Sequence, residues 1–157
     1  MRPMPTARAA TLTLALTLAL PGAALADEAA EAALKARQSL MSVISFNLGP
    51  MAQMAQGRID YDAAAAQAAA DNLHGLTRHS QERLWPEGTA NGEMEGSRAL
   101  PAVWENLDEF ATRYAALQEA ATALQAVAGD GLEALQGGLG GVAGACRDCH
   151  QSYRLTD

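Results

Sequence analysis

Two cysteines occur in the 157 residues, three positions apart in Cys146-Arg147-Asp148-Cys149, and His150 follows directly. Thiols at that separation lie about one turn apart on one face of a helix, which rises ~1.5 Å per residue. Four chemistries use such a pair. A disulfide ring would leave His150 without a purpose. A thioredoxin-type redox pair belongs where a strand enters a helix, and strand signals are nearly absent here. A structural zinc site needs four ligands. The other two imidazoles, His74 and His79, stand far upstream with no second cysteine pair beside them. C-x-x-C-H, by contrast, is the signature of c-type haem attachment: both thiols form thioethers to one haem, and the adjacent imidazole binds its iron. Cys146 and Cys149 are therefore read as the anchors of one covalent haem c, and His150 as an iron ligand.

Such a group must be held between packed elements, and the sequence supplies helices. Ala, Leu, Gln and Glu dominate while aromatic residues make up only 4%, so helix propensity outweighs strand propensity. Leu34, Met41, Ile44, Leu48, Met51 and Ala55 recur at helical spacing and predict a first helix over 28–56. Gly49-Pro50 predicts a kink or local unwinding within it. Asp60 or Asp62 caps a second helix over 61–79, with Ala66, Ala69, Leu73 and Leu76 as its stripe. Pro86, Gly88, Asn91-Gly92 and Gly96 mark residues 85–98 as loop. A third helix spans 100–128, with Pro101 in its first turn and Trp104, Tyr114, Leu117, Ala121 and Leu124 on its apolar face. A fourth, over 132–154, carries the cysteines. Four such helices specify an all-α fold, an antiparallel up-down-up-down four-helix bundle with covalently bound haem c. Gly137, Gly138, Gly140, Gly141 and Gly144 interrupt the last helix at about 1 kcal/mol each, which implies that the haem lies close to its backbone.

Residues 1–26 read as a leader. Arg2 and Arg8 precede an uncharged apolar run over 9–20, then Pro21-Gly22 and the small-x-small Ala24-Leu25-Ala26. The run is too short to span a bilayer, which takes roughly 20 apolar residues. A cleaved signal peptide is expected, with one domain over 27–157 and no membrane span in the mature chain. The formal net charge of −7 grows more negative once Arg2 and Arg8 are removed. Such a surface excludes nucleic acid as a partner and suits redox proteins with basic faces.

The chain resembles the class II cytochromes c, which comprise cytochrome c-prime and the c-556 type. The likeness rests on Ala36-Arg37-Gln38-Ser39-Leu40-Met41, Gly49-Pro50-Met51, Tyr61-Asp62-Ala63-Ala64, Trp85-Pro86-Glu87-Gly88-Thr89, Trp104 and the segment from Cys146 to Arg154. It implies a periplasmic monohaem protein in which Met41 faces the side of the haem opposite His150. In the c-556 type a methionine there binds iron, giving a low-spin centre suited to electron transfer; a methionine in an apolar stripe can equally be packing. The expectation is an electron carrier with His150 and Met41 as metal ligands. The alternative is a high-spin, five-coordinate cytochrome c-prime that binds or scavenges nitric oxide or carbon monoxide. Neither reading is enzymatic, and no distal His–Arg pair suited to peroxide cleavage is visible. The resemblance also places Arg37 near the haem propionates, where it would pair bidentately with a carboxylate, and Arg154 beside the proximal pocket. Trp85 and Trp104 are expected in ordinary core packing and Tyr153 beside the haem edge. Family members often pair through their first two helices, so a homodimer is allowed.

Overall fold

The computed structural model describes residues 21–156. Five helices run in the order α1 (Pro21–Ala55), α2 (Ala63–Thr77), α3 (Ala102–Glu105), α4 (Leu107–Gln125) and α5 (Leu132–Tyr153), with a 3₁₀ turn at Glu82–Leu84. The four long ones pack as a ring: α1 against α2 and α5, and α4 against α2 and α5. This is the expected bundle. Most of the expected leader, residues 1–20, lies outside the described residues, while Pro21–Ala26 continues α1 upstream.

In α1 the buried positions Ala33, Leu34, Arg37, Ile44, Asn47, Met51 and Met54 follow the expected period. The helix is continuous through Pro50, so the expected local unwinding is absent. Pro50 withholds one amide from the carbonyl of Phe46, and both residues are exposed, which lets water replace the lost bond. Gly57, at φ 68°, ends the helix: its N–H donates to Met54 O and that of Arg58 to Gln53 O, both at 2.9 Å. That pair of bonds needs a residue in the left-handed region, which glycine adopts freely.

Asp62 caps α2 by accepting from Ala65 N–H at 3.0 Å. The helix buries Ala66, Ala70, Leu73 and Thr77, a stripe rotated slightly from the expected one. Tyr61 then ties α2 to the α4–α5 turn, donating to Ala128 O at 2.9 Å and accepting from Gly131 N–H at 3.0 Å.

The expected third helix is two. Asn106 leaves helical geometry at φ −139°, ψ 50°, which separates the single turn of α3 from α4. Trp104 Nε1–H donates to Trp85 O at 3.1 Å and Pro86 O at 3.2 Å, anchoring α3 to the loop. Asn106 bonds back to Ala102 O at 3.2 Å, the local competition that makes asparagine a poor interior residue. The α5 helix also stops one residue early. Arg154 is extended and bridges to Ala99, Leu100 N–H donates to Tyr153 O at 2.9 Å, and Leu155 N–H donates to Arg98 O at 2.8 Å.

Arg37 binds the α2–α4 connection to α1. Its Nη1 donates to Leu84 O at 3.2 Å and Thr89 Oγ1 at 2.8 Å; its Nη2 donates to Thr89 O at 2.6 Å and Ser97 Oγ at 2.9 Å. The guanidinium also sits 4.8 Å from the Trp85 ring and 5.9 Å from that of Trp104.

The glycines of α5 have more than one cause. A Cβ on Gly138 would meet Leu124 Cδ1 at 2.8 Å and Leu124 Cα at 3.2 Å, so this residue exists for the close approach of α4. Gly137 faces open space. Gly138→Val should cost about 1–3 kcal/mol through overpacking. Gly137→Ala should add up to ~1 kcal/mol through helix propensity. Denaturant unfolding of the haem-loaded protein checks both signs. Arg37→Lys keeps the charge but cannot reach four separate oxygens, and should cost about 2–4 kcal/mol. Amides over 84–97 should then exchange hydrogen faster than those of α2.

Candidate haem site

Cys146 and Cys149 are free, half-buried thiols on α5. Burial pushes both upward in pKa; for Cys149 the neighbouring Cys146 adds to the rise and Arg113 opposes it. The His150 ring is open on one side, yet burial and then the charge of Arg154 lower its pKa. Both effects favour the neutral form that a metal ligand must take.

Two cavities meet along this face. One of about 290 Å³ reaches from Leu34, Arg37 and Trp85 to Tyr153 and Arg154. The other, of about 240 Å³, reaches from Ile44 and Leu48 to Leu117, Ala145 and Cys146. Met41, Tyr114, Cys149 and His150 line both. Together they form a slot between α1 and α5, backed by α4. Phe110 and Tyr153 stack edge-on at 5.3 Å, and Trp85 meets Phe110 at 4.7 Å, closing one end with aromatic carbon.

The residues suit a haem. Both thiols open from one helix face onto an apolar slot beside a neutral imidazole, and the slot wall holds a polar atom the protein leaves unpaired. Tyr114 Oη is buried without a hydrogen-bond partner. Gln81 is close enough to favour the phenolate slightly, but burial dominates and raises the Tyr114 pKa, so the hydroxyl keeps its proton. Cys146 and Cys149 would hold the group and His150 would bind its iron. When bound, the haem supplies an iron centre able to exchange an electron or take a small ligand. The chain's own part is to wall one end with aromatic carbon and to favour the neutral form of His150.

Met41 is half-buried and lines both cavities. Arg154 borders the first cavity, from extended chain rather than from the same helix face as His150. Arg37 reaches that cavity too, but the expected bidentate pairing with a propionate does not match its bonding. It is buried, and four of its five N–H groups serve loop oxygens. Burial lowers its pKa. Trp85 packs against the Val103, Phe110 and Tyr153 cluster, the expected core role, and lines the slot as well, while Trp104 packs against the same cluster. Tyr153 lines the first cavity. Sequence reasoning missed Phe110 and Tyr114 as site residues, because their period is also that of an ordinary core stripe.

The sequence model of the family described as Cytochrome C' matches residues 32–154. Cytochrome c-554 of Cereibacter sphaeroides is 40% identical over 157 residues, covering 100% of both chains. The solved cytochrome c' from Rhodobacter spheriodes superposes with a TM-score of 0.79 at 37% identity, over 82% of this chain and 98% of that one. A nitric oxide complex of a variant cytochrome c prime from Alcaligenes xylosoxidans superposes with a TM-score of 0.70 at 29% identity, over 81% and 97%. With its bundle, its paired thiols and its imidazole-lined slot, the chain belongs to the cytochrome c' family, whose members carry a single covalently attached haem c.

Proposed function

We propose that this monohaem cytochrome binds nitric oxide or carbon monoxide on the haem face opposite His150, in the manner of a cytochrome c-prime. The observation that carries this reading is the packing of Met41. Its side chain is half-buried against the core built by Ile44, Met51, Tyr114 and Leu117, the gap-filling role methionine commonly takes. The apolar lining of the second cavity suits a small uncharged gas, and the related protein solved with nitric oxide supports the same reading. The electron-carrier reading drawn first from the sequence stands second. One observation favours it: among the described residues Met41 brings the only thioether to both cavities, so it would be the distal ligand of a low-spin, c-556-like centre. In that role the acidic surface would meet basic redox partners.

The reading includes export to the periplasm with cleavage after Ala26, supported by the leader pattern. No helix among the described residues is long and apolar enough to cross a membrane. Pairing of two copies would use the α1 face where Phe46 is 77% exposed and Val43 lies beside it. The role is binding rather than catalysis.

Visible spectra of the purified protein test the choice. A high-spin ferric pattern and ready carbon monoxide binding by the ferrous form are expected, and Met41→Ala should leave the ferric spectrum high-spin. A low-spin ferric spectrum with a sulfur-ligation band, turned high-spin by Met41→Ala, would establish the carrier instead. Intact mass should exceed that of a polypeptide starting at Asp27 by one haem; a mass equal to the amino acids alone would refute covalent attachment.

A further inference from the structure

Tyr114 carries a polar atom for which the fold has no use. Its side chain is only 7% exposed and its hydroxyl has no hydrogen-bond partner. The nearest polar side chain, Gln81, is drawn toward other groups: its Oε1 accepts from Trp85 Nε1–H at 3.3 Å and its Nε2 donates to His79 O at 3.2 Å, so it stands as the rival partner of the hydroxyl. A buried donor left unpaired costs free energy, and a phenylalanine would fill the same space without that cost. The residue also lies where a ligand would be. It lines both cavities with Met41 and His150. It belongs to the cluster against which Met41 and Cys146 both pack, whereas Cys149 packs with Phe110 and Tyr153.

We propose that Tyr114 is a specificity-determining residue whose hydroxyl donates a hydrogen bond to a diatomic ligand held opposite His150. This rests on the gas-binding reading above. A donor at that place stabilises a ligand that gains negative charge on its outer atom when bound, and it acts from a buried position, where a hydrogen bond is stronger than in water. The hydroxyl thus makes the slot more than an apolar shelter.

The test uses the haem-loaded protein and its Tyr114→Phe variant, with carbon monoxide and nitric oxide as probes. Removing the hydroxyl should raise the C–O stretch of bound carbon monoxide in the infrared, because the donor no longer draws electrons into the antibonding orbital. Release of nitric oxide should quicken about two- to tenfold, the span of one neutral hydrogen bond. Haem content and far-ultraviolet dichroism show whether the variant has folded. If it has not, the unmodified protein carries the test: its C–O stretch should shift between H₂O and D₂O. An unchanged stretch and unchanged release in the folded variant, or no isotope shift in the unmodified protein, overturns the assignment and leaves Gln81 as the hydroxyl's partner. Failure of the unmodified ferrous protein to bind either gas overturns the gas-binding reading and this assignment with it, and is seen before any variant is made.

Discussion

The Arg37 guanidinium is enclosed between α1 and the 84–97 loop, among the oxygens of Leu84, Thr89 and Ser97 and the faces of two tryptophans. Moving a cation out of water is costly, and no ion pair to Arg37 forms among the described residues. The cost is offset by charge-assisted bonds to neutral oxygens and by two aromatic rings. Those same contacts make an otherwise irregular connection into a wall. Trp85 faces the slot because the chain on either side of it is bonded to α1. Trp104 is held because its Nε1–H reaches the carbonyls of Trp85 and Pro86. The aromatic end of the site thus depends on one buried charge.

Much of this was legible in the sequence, for identifiable reasons. Cys146, Cys149 and His150 are adjacent in the chain, so helical geometry alone brings them together. The stripe of α1 was legible because apolar residues recur at a period set by backbone geometry. Arg37 stands in register with that stripe, one turn from Leu34 and from Met41, but it was read as a propionate partner and its burial was not expected. Its partners were not legible either, since they lie 47 to 60 residues away in a loop whose path no local pattern dictates. The break at Asn106 escaped notice because the apolar period runs on across it, although the asparagine bonds back to Ala102 O. Phe110 and Tyr114 illustrate a deeper limit. Period assigns a residue to the inner face of a helix, and only the assembled bundle decides whether that face meets core or slot.

The glycines of α5 divide along the same line. Composition suggested one cause for all of them, but Gly138 answers to α4, where Leu124 comes within contact of its backbone. The intimacy of α4 and α5 has a functional consequence. It leaves the opposite side of α5, facing α1, as the side on which the bundle is loosely filled, and there the cysteines and His150 open. Tight packing on one flank and room on the other come from the same residue spacing.

The last turn of α5 is also joined to the chain just before α3. Ala99 and Arg154 form a bridge, flanked by backbone bonds from Leu100 to Tyr153 and from Leu155 to Arg98, with Arg98 Nη2–H also bonded to Leu155 O at 2.9 Å. His150 lies one turn before this clasp, and Arg154 N–H donates to its carbonyl at 3.1 Å. The last turn of α5, which carries His150, and the rim of the slot at residues 98–100 are thus fastened to one another by backbone bonds.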